Sequence, residues 1–304
     1  MSRSWGLAAQ HRLAMRLDWL SIRYRLEYLA FRTAARLFLA LGLERASTLS
    51  GGLWRRFAPL FKRHKRALAQ LALAFPEKSE AEREAICRGM WDNLGRDFAE
   101  AFFLRQLAQG DRIGFERIEA FEHWASLPGG KVACAAHLAN WELTILQATR
   151  IGLKPWSIYQ RIKNPLVDRD VVAMRSFLYS GGLVAKSPSL PRQFLRVIRD
   201  GGTVGLLADL RDNNGVDVPF FGRPAPSTAF PALLAQAAGT PILVSCMRRL
   251  PGVRFVQTFD LVDVPDTGDR RADLAAATAR VQAVFEAFIR EAPEQWMWAH
   301  RRWG

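Results

Sequence analysis

The sequence predicts an α/β fold, a mostly parallel sheet flanked by helices, preceded by a basic helical segment. Three observations lead there. Short apolar runs (Val132 to Ala136, Pro155 to Tyr159, Thr203 to Ala208, Pro241 to Met247) alternate with stretches of helical period, the pattern of strands joined by helical crossovers. The first three of those runs stop at His137, Arg161 and Asp209 or one residue short of them, and in parallel sheets the chemistry gathers where strands end. The charge is also uneven. Residues 1–75 hold 14 Lys and Arg against Asp18, Glu27 and Glu44, so +11 of the net +14 lies in that first quarter.

That quarter mixes cations with Trp5, Trp19, Tyr24, Tyr28, Phe31, Leu37, Phe38 and Leu41. On a helical wheel Arg25, Arg32 and Arg36 form one stripe, and Leu26, Ala30, Ala34, Leu37, Phe38 and Leu41 fill the other side. A span would need about twenty mostly uncharged residues, and Arg32 and Arg36 interrupt the only candidate. No signal-peptide pattern is present either. A helix of this kind is expected to lie in the interface of an anionic membrane, with Arg55-Arg56 and Lys62 to Arg66 extending the patch. Nucleic acid is the other partner a basic patch can serve, but no zinc-finger, RNP or Gly-rich pattern accompanies it, so no nucleic-acid binding is expected. The division expected is 1–75 as a membrane-associating region and 76–304 as the α/β domain.

Phe75-Pro76 breaks the helical pattern, and Ser79 with Glu82 forms a capping-box signature opening a helix through Ala85, Ile86, Met90 and Leu94. A further amphipathic run, Leu94 to Leu107, leads to Gly129-Gly130 and the Val132–Ala136 strand. Helices are expected over Val167–Tyr179, over Leu190–Arg199 before Gly201-Gly202, over Phe230–Ala238 closed by Gly239, and over Arg270–Glu291. Val253 to Val264 alternates and reads as a further strand.

Chemistry concentrates in Lys131–Glu142, KVACAAHLANWE. His137 ends the strand, Asn140 can cap the following helix through Leu143, Leu146 and Gln147, and Glu142 lies five residues beyond His137. An imidazole and a carboxylate at one strand-to-helix corner suit a general base and the group that orients it. A histidine packed at a strand end and a glutamate favoured by a helix dipole would give the same letters. Cys87, Cys134 and Cys246 lack paired spacing, which suggests neither a disulfide framework nor a zinc site and reads as buried thiols in a reducing compartment. Asp209 and Asp212 have a spacing that could serve a divalent metal, but a structural loop shaping the site is the favoured reading.

The long ordered set HLANWE, YQRIKNPLVD (Tyr159 to Asp168), Arg175 with Gly181-Gly182, ADLRDNNGVDVPFFGRPAPST (Ala208 to Thr228) and PEQWMWAHRRW (Pro293 to Trp303) resembles the bacterial lipid A biosynthesis lauroyl/myristoyl acyltransferases. These belong to the wider His-x4-Asp/Glu acyltransferases. Phe75 to Glu77 and Trp91 to Gly95 extend the resemblance, which covers the chain from about residue 20. It implies a glycerolipid-acyltransferase-like fold and transfer of a fatty acyl group from an acyl carrier protein thioester to a hydroxyl of a lipid A precursor, at the cytoplasmic face of the inner membrane. It implies neither cofactor nor metal. His137 and Glu142 are then the catalytic pair, Glu142 orienting His137. Arg161 is assigned to binding an anionic head group or stabilising the site, and Asn140 and Asp209 complete the substrate-binding set. Another glycolipid or a lysophospholipid as acceptor, and a membrane-surface binding protein without turnover, are the alternatives.

Overall fold

The computed structural model describes residues 3–304, with side chains from Leu20 onward, so Trp5 and Trp19 of the membrane expectation lie outside the described side chains. The chain begins with α1 (Arg3–Leu41), α2 (Leu43–Phe57), α3 (Lys62–Ala74), α4 (Glu80–Glu100) and α5 (Leu104–Gln109). The α/β unit follows in the order β1 (Ile113–Glu116), α6 (Ile118–Ser126), β2 (Lys131–Ala135), a 3-10 turn at Trp141–Ile145, α7 (Leu146–Arg150), β3 (Pro155–Tyr159), α8 (Pro165–Arg175) and β4 (Gly182–Ala185). It continues with α9 (Leu190–Arg199), β5 (Thr203–Leu207), the hairpin β6 (Arg211–Phe220) and β7 (Arg223–Ser227), α10 (Phe230–Ala238), β8 (Ile242–Leu250), β9 (Arg254–Val262) and α11 (Arg270–Glu291).

Seven strands form one sheet in the order β1-β9-β8-β2-β5-β3-β4, parallel throughout except where β8 meets β9. The central strands are covered on both faces, which is why KVACA and TVGLL read as continuous apolar runs rather than alternating ones. Side chains alternate between two cores. Val132, Cys134, Val244 and Cys246 enter one with Phe194, Phe285, Trp296 and Trp298. Ala133, Leu243 and Met247 enter the other with Phe103, Trp124, Leu146 and Phe259. All three cysteines are buried and free, and burial pushes the Cys87 thiol up to about 12.

Most expected elements are present. The capping box at Ser79 is complete, with Glu82 N–H donating to Ser79 Oγ and Ser79 N–H to Glu82 Oε2. α9, α10 and α11 match their expected spans, and Gly239 closes α10 at φ 65°. α8 ends four residues earlier than expected, at Arg175, and begins at Pro165 behind an Asn164 cap that accepts from Leu166 N–H. Asn140 does not cap a helix with its side chain: a short 3-10 turn precedes α7, and the Asn140 amide is engaged elsewhere. β1, β4, β6 and β7 were not expected, being short or carrying Gly, Asn and Pro in place of an apolar alternation.

The N-terminal helix docks through Tyr24, Tyr28, Phe31, Ala35 and Phe38, a helical stripe of half-buried residues, and turns Leu20, Ile22, Leu26, Leu29, Leu37 and Leu39 outward. Phe31 meets Phe102 with ring centroids 5.4 Å apart, and Tyr28 and Arg32 both donate to Asp170. Of the apolar side read from the wheel, Leu26, Ala30, Leu37 and Leu41 are exposed, whereas Ala34 and Phe38 are half-buried. Among the described residues no helix is long and apolar enough to cross a membrane.

Helices α2 and α4 cross where Gly51 faces Asp92 and Gly95 faces Ser50. A Cβ on Gly95 would stand 2.6 Å from Ser50 O and 2.7 Å from Trp54 Cβ, so neither backbone nor indole has room for it. Gly95→Ala is therefore expected to cost about 1–3 kcal/mol through overpacking, read as a fall in urea midpoint; an unchanged midpoint would mean the crossing is loosely packed.

Candidate active site

The parallel pairing of β2 with β5 sets Lys131 beside Thr203 and Ala135 beside Leu207. Continued two residues past the strand ends, the same register sets His137 beside Asp209, and the chain still holds it at Ala208 N–H to Ala135 O, 3.0 Å. Asp209 accepts the His137 backbone N–H at 2.9 Å and faces His137 Nδ1 at 2.8 Å. The Trp296 indole N–H donates to the same carboxylate at 2.6 Å. Asp209 is completely buried, while His137 keeps part of its ring open. Burial by itself would push the Asp209 carboxyl up, but the His137 charge and these hydrogen bonds hold it below the usual carboxylate range. An ionised carboxylate only accepts, so Nδ1 carries the ring proton and Nε2 is the basic nitrogen.

The carboxylate in contact with His137 is thus Asp209, and Glu142, expected there, makes its contact elsewhere. Glu142 pairs with Arg175 at 2.8 Å. Between these two pairs lies Trp141, whose ring stands edge-on to His137 at 5.1 Å. His137, Trp141, Glu142 and Arg175 all line a cleft of about 860 Å³, together with Lys186 and Arg211. Asp209 lies behind His137 and Asp212 lies on the cleft wall, so the two acids do not converge.

Two assigned residues sit elsewhere. Arg161 is exposed and does not line the cleft; the guanidinium groups there belong to Arg175, brought in by α8, and to Arg211. Neither nearby acid holds Arg161, since Asp168 accepts from the Tyr159 hydroxyl and Ile162 N–H and Asp170 from Tyr28 and Arg32. Asn140 is buried and faces away from the cleft, its amide donating to Glu100 Oε2 at 2.9 Å. It belongs to a brace in which Arg249 donates to both Asp97 and Glu100, and Ser47 donates to Glu100. Gln295 ties that brace to the His137 loop: its side chain accepts from Arg249 N–H, and its carbonyl accepts from Ala139 N–H at 3.0 Å. Ala139 has φ 48°, a left-handed conformation that a non-glycine residue holds only when its surroundings fix it.

In the C-terminal stretch Trp296, Trp298, Arg302 and Trp303 are core, while His300 and Arg301 are exposed. Arg302 is buried, donating to Pro226 O, Ser227 Oγ and Gln282 Oε1 and lying 4.8 Å from the centre of the Phe220 ring. Burial lowers its guanidinium to about 10 against the opposing charge of Asp209. Gln282 in turn donates to Ala208 O, next to Asp209.

The profile of the family described as bacterial lipid A biosynthesis acyltransferase matches residues 15–304. The chain belongs to that family. A lipid A biosynthesis lauroyltransferase from Escherichia coli (strain K12) is 26% identical over 257 residues, covering 79% of each chain. The protein is accordingly an acyltransferase of lipid A biosynthesis, and a binding protein without turnover is set aside. In this acyltransferase the motif residues His137, Glu142 and Arg175 share one cleft, whereas Arg161, in the YQRIKNPLVD block, does not line it. The Asp209 contact was not read from the sequence. The signal for it was present, because two apolar runs ending in His and Asp at corresponding positions become neighbours if their strands pair in parallel.

Arg249 stands alone against two buried carboxylates in the brace. Burial, with the push of Glu100 and against the pull of Arg249, lifts the Asp97 carboxyl well above the usual carboxylate range. Arg249→Met would strand both acids, and a loss of about 3–5 kcal/mol in denaturant unfolding is expected for this acyltransferase; a loss under about 1 kcal/mol would mean the brace is solvated and does not hold the loop.

Proposed function

We propose that the protein transfers a fatty acyl group from an acyl carrier protein thioester to a hydroxyl of a lipid A precursor, with His137 as general base. The observation that carries this reading is the buried Asp209 carboxylate on Nδ1, which makes Nε2 the basic nitrogen of a residue lining the cleft. The acceptor hydroxyl gives its proton to Nε2 as its oxygen attacks the thioester carbonyl. Asp209 stabilises the imidazolium so formed. Collapse of the tetrahedral intermediate breaks the C–S bond, and the departing thiolate takes the proton back from His137. The thioester is already activated, so no acyl-enzyme is required. Arg175, held by Glu142, is a cation in the cleft suited to the developing oxyanion or to an anionic group of either substrate.

The basic region 1–75 is assigned to an anionic membrane surface at the cytoplasmic face of the inner membrane. Support comes from its charge and from outward leucines on α1 and α2, Leu26, Leu29, Leu49 and Leu53 among them. The acidic carrier protein and an anionic lipid both suit a chain of net charge +14.

Purified protein in detergent, given carrier-protein thioesters and a lipid A precursor, is expected to form the acylated lipid and free carrier thiol in equal amounts. His137→Ala and Asp209→Asn are each expected to lower kcat by about 10²–10⁴-fold with the fold intact by circular dichroism. Near-normal turnover in folded His137→Ala would overturn the mechanism. Acylation of a lysophospholipid or another glycolipid in place of the lipid A precursor would overturn the acceptor.

A further inference from the structure

A second cavity, about 390 Å³ in volume, lies against the first. Its walls are Phe31 of α1, Trp54 of α2, Leu94, Phe98 and Phe102 around α4, and Val171 and Met174 of α8, a lining far more apolar than that of the cleft. Trp141, Glu142, Arg175 and Met297 line both cavities, so the Glu142–Arg175 pair forms part of their shared wall. His137 lines only the cleft. A largely apolar chamber thus meets the mixed cleft at one ion pair, with His137 on the cleft side.

The rims differ as well. The apolar chamber is edged by Trp54 and Phe98, exposed at 36% and 40% although both are large aromatics. Trp54 shares α2 with the exposed Leu49, Leu53 and Phe57, and Leu60 and Phe61 continue that surface at 77% and 65% exposure. Arg63, also on the rim, lies in a run of cations with Lys62, Lys65 and Arg66. An apolar mouth set in an exposed apolar surface and bordered by cations fits an amphiphile whose chains are in a bilayer and whose head group is anionic. The cleft instead presents Lys186, Arg211, Asn213 and Asn214, groups that suit a water-borne phosphorylated carrier, and it has its own apolar floor at Leu190, Leu206 and Phe230 for a fatty chain.

We propose that the apolar chamber takes a hydrocarbon chain of the acceptor lipid, entering sideways from the membrane past Phe31, Trp54 and Phe98, while the thioester donor and its fatty chain occupy the cleft. This rests on the acyl-transfer reading above and adds to it which substrate comes from which side. The N-terminal helix is then a wall of the acceptor site through Phe31, as well as part of the membrane-facing surface. Arg175 and Glu142, reached from both chambers, are where the acceptor's hydroxyl-bearing end and the thioester come together.

Photo-crosslinking tests the assignment without needing turnover. Full-length protein in anionic vesicles is exposed to a lipid A precursor carrying a diazirine near the end of one acyl chain. In a separate arm it meets acyl carrier protein charged with a diazirine fatty acid. The lipid probe is expected to label peptides containing Phe31, Phe98, Phe102 or Val171, and the carrier probe those containing Leu190, Leu206 or Phe230. Labelling of the chamber by the carrier probe, or of the cleft alone by the lipid probe, would overturn the proposal. A kinetic arm uses Val171→Trp and Met174→Trp, which fill the chamber from α8. KM for the acceptor is expected to rise by about tenfold or more, with KM for the carrier thioester within about twofold of wild type. The reverse pattern, or a changed preference among donor chain lengths, would also overturn it. A protein that forms the lipid crosslink in the chamber but transfers no acyl group would retain this assignment and refute the reaction.

Discussion

Parallel register between β2 and β5 is the constraint on which the site depends. It places His137 against Asp209 without any help from a loop, because both residues lie at equal distances past paired strand positions. A one-residue slip would exchange the two faces of β2, sending Val132 and Cys134 into the wrong core, so the burial that stabilises the sheet also fixes the His137–Asp209 contact. Burying the Asp209 carboxylate costs several kcal/mol in solvation. That cost is offset by the imidazole and by the N–H groups of His137 and Trp296, all directed at the same two oxygens.

The rest of the molecule supports this contact from two sides. Below the sheet's edge, Gln282 and Arg302 hold the chain beside Asp209, placing a buried guanidinium where it opposes the carboxylate charge. Across from it, the Arg249 brace and Gln295 hold Ala139 and Asn140 in a conformation the backbone would not choose alone. The loop between His137 and Glu142 is therefore held at its start and its middle, with Trp141 edge-on to the imidazole and Glu142 on Arg175. Positioning of this kind favours rigid elements over mobile ones, because small displacements of a general base cost large factors in rate.

The sheet was legible in the sequence because its central strands are apolar on both faces, and the helices because caps and breakers mark them: Ser79 with Glu82, Gly239, Gly201-Gly202. β1 and β4 have four residues each, and β6 runs through Arg211-Asp212-Asn213-Asn214-Gly215, so pairing rather than composition makes them strands. Within the site, His137 was identifiable as a strand-end imidazole. Its carboxylate partner was not, since spacing along the chain favoured Glu142 five residues away over Asp209, which only the sheet brings near. Arg161 and Asn140 lie away from the cleft for a related reason. A residue beside a motif need not share its direction, and Asn140 turns into the Glu100 brace while Arg161 stays at the surface.

The central claim is that Asp209 holds the His137 ring with its proton on Nδ1, and proton-detected ¹H–¹⁵N NMR of histidine-labelled protein tests it most directly. His137→Gln assigns the signal among the five histidines. At a pH where the ring is neutral, the account predicts a protonated Nδ1 and an unprotonated Nε2, a pattern that Asp209→Asn shifts towards the opposite tautomer. A wild-type His137 protonated on Nε2, unmoved by Asp209→Asn, would contradict it.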